Sequence, residues 1–186
     1  MGKVDKNIEK VMLFVGILYT EKDNLNKAIK LLKEDFGKTV QFKHNIDFDV
    51  TDYYNDEMGS NIKKAFIVFN NLIEREKLAD IKLKTNKLEK YFRDEENNRK
   101  INLDPGYIAL PKLVLATTKD RSHRIYIGKG IFAEVTLYFY DNSFRIYNWT
   151  YPDFKKEEYI EFFNQVREKY KRKLNNNDSF GESMDT

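Results

Sequence analysis

The stretch "VMLFVGIL", residues 11–18, runs without a polar side chain and is rich in residues that suit a strand. A short, continuously apolar run of this kind reads as a strand covered on both faces, and so as the centre of a sheet. It is about half the length a membrane span needs. Working outward, Leu25, Ala28, Ile29, Leu32 and Phe36 recur at helical spacing, with Thr20 or Asp23 available to cap the start and Gly37 to end the helix. "VQFKHNIDFDV", residues 40–50, then alternates, with Ile46, Phe48 and Val50 on one side and Asp47 and Asp49 on the other, which describes a half-exposed strand.

"AFIVFNN" from Ala65 is a further strand, and Leu78, Ile81, Leu88 and Phe92 mark a long helix from about Glu74 to Arg93. "KINLDPGY" reads as a strand running into a turn, because Asp-Pro-Gly is strong turn chemistry. The order strand, helix, strand, strand, helix, strand is that of the ferredoxin-like unit.

Beyond residue 108, "ALPKLVLATTK" is a short helix started by Pro111 or a buried strand, and we favour the helix. "HRIYIGKGIFAEVTLYFY" gives two strands around Gly-Lys-Gly, with Ile131, Ala133, Val135, Leu137 and Phe139 on one face, and "SFRIYNW" adds another. A last helix spans about Phe154 to Leu174, striped by Tyr159, Phe163, Val166 and Tyr170 and capped by Asp153. "NNNDSFGESMDT", residues 175–186, has too little apolar surface to offset its own ordering and is expected to be disordered. The fold expected is α+β: one domain over residues 1–174, ferredoxin-like βαββαβ in its first half and extended by an antiparallel hairpin or meander and a C-terminal helix.

With 33 Lys plus Arg against 30 Asp plus Glu, the formal charge of +3 is too slight to imply a nucleic-acid partner by itself. The absence of cysteine excludes disulfides, thiol nucleophiles and thiolate metal sites. No leader or lipidation signal is read in "MGKVDKNIEK", so a cytoplasmic location without membrane attachment is expected.

Local charge is another matter. Lys112, Lys119, Arg121, Arg124 and Lys129 crowd one segment against a single acid, Asp120, with His123 in their midst. Converging with backbone amides, Lys119, Arg121 and Arg124 can hold a phosphate or carboxylate by charge-assisted hydrogen bonds. His123 is then the natural proton carrier, and Asp104 and Glu134 can orient it or hold a divalent cation. Against this, alternation along a strand would send His123 and Arg124 to opposite faces. Glu134 sits mid-strand between Ala133 and Val135 and needs a partner, for which Arg124 or Lys112 is suited.

The acids Asp47, Asp49, Asp52, Asp56 and Glu57 fail the EF-hand pattern and read as a solvated edge and loop. Among the aromatics, Tyr53, Tyr54 and Trp149 stand in loop-like settings.

Together "VMLFVGILYT", "FDVTDYYNDEMG", "LADIKLKTNKLE", "NLDPGYIALPKLVLATTKDRSHRIYIGKGIFAEVTL" and "WTYPDF" resemble the bacterial and archaeal domain-of-unknown-function family 4416 over roughly Val11 to Leu174. The resemblance carries with it a GTP-binding label sometimes given to members. The residues do not support a conventional GTPase: there is no Gly-x-x-x-x-Gly-Lys-Ser/Thr loop, and in "TTKD" the residue two places after Lys119 is Arg121, not the Asp of a guanine-reading motif. No serine-histidine-acid arrangement, dinucleotide fingerprint or zinc spacing narrows the function, and the cofactor is left unassigned. Two functional readings follow. One is binding of a small phosphorylated or nucleotide-like anion, with possible catalysis by His123, at Asp104, Lys119, Arg121, Arg124 and Glu134. The other is a non-catalytic module that takes protein or RNA through its basic hairpin and exposed aromatics. The first needs those groups converging in a concave pocket; the second spreads them over a flat face.

Overall fold

β1 (Val11–Tyr19) is hydrogen-bonded on both sides, to β3 (Lys63–Ile73) and to β4 (Ile101–Ala109), and all of its residues are buried. The computed structural model describes residues 2–3, 8–49, 51, 54–59 and 61–181, without the side chains of 55, 56 and 177–181. β2 (Thr39–Asp47) completes the first half, giving the antiparallel order β2-β3-β1-β4 with helices α1 (Lys22–Phe36) and α3 (Leu78–Glu89) in the connections. That is the ferredoxin-like arrangement expected from the element order. A single turn, α2 (Asn55–Met58), lies between β2 and β3.

β5 (Lys112–Thr117), β7 (Ile131–Tyr140) and β6 (Ile125–Gly128) extend the sheet, with β8 (Ser143–Ile146) also on β7, and α4 (Glu157–Gly181) follows. The continuous apolar run of β1 has a simple cause. Leu13, Val15 and Ile17 pack with Leu25, Ala28 and Leu32 of α1, while Met12 and Phe14 pack with Phe163, Val166 and Tyr170 of α4 on the opposite face. Among the described residues no helix is long and apolar enough to cross a membrane.

Four local expectations are corrected. Residues 112–117 form a strand, not a helix, because their apolar side chains are needed on both faces: Leu113 and Leu115 meet the α4 core, Val114 and Ala116 the α3 core. Asp104-Pro105-Gly106 is no turn but the middle of β4. In β7 an extra residue at Thr136 shifts the register between Leu113↔Leu137 and Val114↔Val135, so Ala133 and Val135 face α3 whereas Leu137 and Phe139 face α4. Neither Thr20 nor Asp23 caps α1, whose N-cap is Glu21, and Asp153 spends its carboxylate on Lys64 instead of capping α4. Helix α4 runs through residues 175–181, and residues 182–186 lie outside the described residues.

Candidate functional site

The sheet splits between β4 and β5. Their pairing runs only from Ala109↔Lys112 to Gly106↔Leu115; beyond it β5 stays with β7 as far as Thr117 and β4 stays with β1 back to Ile101. At the apex Gly106 permits the close approach, since a Cβ there would lie 2.4 Å from the Val114 carbonyl oxygen and 2.7 Å from the Phe14 ring.

The strand edge exposed by the split is satisfied by side chains of α3. Leu103 donates its N–H to Glu89 Oε1 at 2.6 Å and its carbonyl accepts from Lys82 Nζ at 2.9 Å. These groups face away from β1, and the alternation of a strand puts the nitrogen of Pro105 on the same unpaired side, where a missing N–H costs nothing. The inner face of α3 and the turn after it is accordingly polar: Lys82, Asn86, Glu89, Lys90 and Arg93 fall at i, i+4, i+7, i+8 and i+11 and line one cavity.

A hydrogen-bonded chain crosses the cavity floor. Arg99 pairs with Glu57 and donates to Asn102 Oδ1 at 3.1 Å; Asn102 Nδ2 donates to Asp104 Oδ2 at 2.6 Å; Lys82 Nζ reaches Asp104 Oδ1 at 3.2 Å. Burial works to raise the pKa of Asp104, but the charges of Lys82 and Lys64 with the donated hydrogen bonds hold it below the ordinary value. Glu89 goes the other way, pushed up chiefly by burial despite Lys82 and the Leu103 amide.

The roof is the segment after β8. β6 and β8 leave a gap on the outer edge of β7, and there Trp149 Nε1 donates to the Val135 carbonyl at 3.0 Å and Thr150 Oγ1 to the Thr136 carbonyl at 2.6 Å. So anchored, the chain delivers Tyr151 to Arg124, Asp153 to Lys64 and Phe154 to the α4 core.

Arg124 is held from three sides: its Nε donates to Glu134 Oε2 at 2.9 Å, Nη1 to the Lys119 carbonyl at 2.8 Å and Nη2 to Tyr151 Oη at 2.6 Å. His123 Nε2 lies 3.0 Å from the same Glu134 oxygen, and its ring stacks on Trp149. The alternation expected to separate His123 from Arg124 does not apply, because β6 begins only at Ile125 and a turn closed by Arg124 N–H to the Arg121 carbonyl precedes it. Burial and the Glu134 charge push the Tyr151 phenol up to about 12, so it remains a neutral hydroxyl.

The cavity measures about 830 Å³. Eight Lys or Arg line it against four Asp or Glu. Asp104, Lys119, Arg121 and Arg124 of the expected site are among the lining residues, while His123 and Glu134 sit behind Arg124. Asp104 is spent on Lys82 and Asn102, and Glu134 takes Arg124 as its partner, with Lys112 placed elsewhere on β5. Missed in the sequence were Lys64, Lys82, Glu89, Arg99, Asn102, Tyr151 and Asp153. The available signal was Lys82 and Glu89, polar residues on the helix face that Ile81 and Leu88 turn towards the sheet. Asp47, Asp49 and Glu57 pair with Lys63, Lys156 and Arg99; Tyr53, Asp52 and the side chain of Asp56 lie outside the described residues. Among the described residues no group of His, Asp and Glu is arranged to hold a metal ion.

A family profile described as "Domain of unknown function (DUF4416)" matches residues 9–170. The chain belongs to that family. No curated protein and no solved structure matches the chain. Within the DUF4416 domain, the five segments that carry the resemblance all reach this cavity, through Gly16, Tyr54, Lys82, Asp104 and Tyr151 among others.

Proposed function

We propose that the split-sheet cavity binds a small phosphorylated, nucleotide-like anion. The observation that carries this reading is the charge imbalance of the lining. The four lining acids have partners within the fold: Asp104 with Lys82, Asp153 with Lys64, Glu57 with Arg99, and Glu89 with the Leu103 amide. Lys90, Arg93 and Arg121 have no carboxylate partner among the described residues, and all three are exposed. An anion entering the cavity therefore meets surplus positive charge without displacing an internal ion pair.

Arg124 supports the reading in a second way. Three of its five N–H groups are used in fixing it, so the guanidinium is oriented before a ligand arrives and two donors remain for a phosphate oxygen. Glu134 and His123 act as its support. Phe48, Tyr54 and Tyr151 offer aromatic surface beside the cations, suited to a planar group such as a base. The volume lies towards the large end of small-molecule sites. Binding, rather than a reaction, is what this geometry supports.

The test is a thermal-shift screen against nucleotides, sugar phosphates and short RNA, with and without magnesium, on the wild type and on Arg121→Ala. A ligand that binds only the folded state raises the melting temperature by mass action. A shift with a phosphorylated small molecule that shrinks in Arg121→Ala is the expected result. A shift with RNA alone, fading in salt, would favour the interaction module instead.

A further inference from the structure

Resting on that reading, we infer that the ligand carries two anionic groups set apart along the cleft, and so is a bisphosphorylated small molecule rather than a monophosphate. The cations without a carboxylate partner among the described residues fall in two places. Arg121 follows β5 on one wall, in the turn that its carbonyl closes with the Arg124 N–H; Lys90 and Arg93 follow α3 below the other.

Three observations separate these places. Arg124 bonds to Tyr151, two residues before Asp153, and the Lys64 that pairs with Asp153 packs against Gly16, the register partner of Asp104, so that end of the cleft is the Asp104 end. Lys82 marks the same end by its contact with Asp104. From Lys82 to Lys90 is eight residues, or about 12 Å along a helix. Between the ends no lining cation is left without a carboxylate: Lys82 is matched by Asp104 and Arg99 by Glu57, Glu89 turns its carboxyl to the Leu103 amide, and Asn86 and Asn102 are neutral. A single phosphate can engage one end at a time. A molecule with a polar, uncharged middle and a phosphate at each end satisfies both, and its second contact forms at high effective concentration once the first is made.

The experiment is isothermal titration of the full chain with inorganic phosphate, hexyl phosphate and hexanediol bisphosphate at one low ionic strength. The bisphosphate should bind at least about tenfold more tightly than either monophosphate. The double variant Lys90→Ala/Arg93→Ala should lose that gain while keeping the monophosphate affinity, and Arg121→Ala should weaken all the phosphates. Equal affinity for hexyl phosphate and the bisphosphate overturns the inference and leaves the anion site standing. So does a double variant that melts earlier but binds the bisphosphate unchanged, since Lys90 and Arg93 then serve only the C-terminal dipole of α3. If no phosphate compound binds, the anion reading itself falls and the inference with it.

Discussion

Lys64 Nζ lies 3.0 Å from Asp153 Oδ2, and the two side chains are only 5% and 6% exposed. The pair ties the centre of the sheet to the roof of the cavity, and the ammonium also stands over the rings of Phe48, Phe66 and Phe154. Removing one partner strands the other charge in a dry site. Asp153→Ala is therefore expected to cost about 3–5 kcal/mol, and the double change Lys64→Met/Asp153→Leu much less. Urea denaturation of the three proteins checks this; a single variant no worse than the double would show that the pair is not desolvated.

Gly106 and Gly16 make a contrasting pair. A Cβ on Gly106 would press on the backbone of β5 at 2.4 Å, whereas one on Gly16 would find its nearest neighbours, Lys64 and Phe66, at 3.4 Å. Gly106→Ala should lose at least about 2 kcal/mol and Gly16→Ala less than about 1 kcal/mol. Melting curves for the two variants decide it, and equal losses would contradict the close approach at the apex of the split.

Acid stability should separate Asp104 from Glu89. Asp104 titrates below its ordinary value of 3.8 in the folded chain, so its ionised form contributes stability above that pH, lost as pH falls through the folded value. Glu89 titrates above its ordinary 4.5, so stability is lost as pH rises from there through the folded value. Unfolding free energies measured from roughly pH 3 to pH 8 should show a flatter acid limb in Asp104→Asn. Glu89→Gln should gain on the wild type as pH rises past 4.5. Parallel profiles for all three proteins would remove both assignments.

Much of this was legible in the chain, for a physical reason. β1 and the ferredoxin-like order follow from hydrophobic pattern, which the sheet must obey. The cavity's upper wall was legible because Lys119, Arg121 and Arg124 are neighbours in sequence. Its floor was not: Lys82, Asn102 and Glu57 come from three separate elements, joined only because β4 and β5 part company. Asp-Pro-Gly misled for the same reason. Its Pro sits where no partner strand asks for an N–H, and its Gly where one comes too near for a side chain. Local turn chemistry cannot register either condition, since both are set by strands elsewhere in the sequence.

The support of Arg124 predicts an order of effects. Glu134 is 1% exposed and carries both Arg124 and His123, so Glu134→Gln leaves a guanidinium that is 6% exposed without its counter-charge and should cost about 3 kcal/mol. Tyr151→Phe removes one donated hydrogen bond and should cost about 1 kcal/mol. His123→Ala should lie nearer to Tyr151→Phe than to Glu134→Gln, because the ring is 20% exposed and Glu134 keeps its pairing with Arg124. Denaturant midpoints rank the three, and phosphate titration of each adds the functional readout. Tyr151→Phe and His123→Ala should both bind phosphate more weakly than the wild type while staying folded, since each loosens the guanidinium without removing it. If His123→Ala instead destabilised as much as Glu134→Gln, the imidazole and not the guanidinium would be the main partner of that carboxylate.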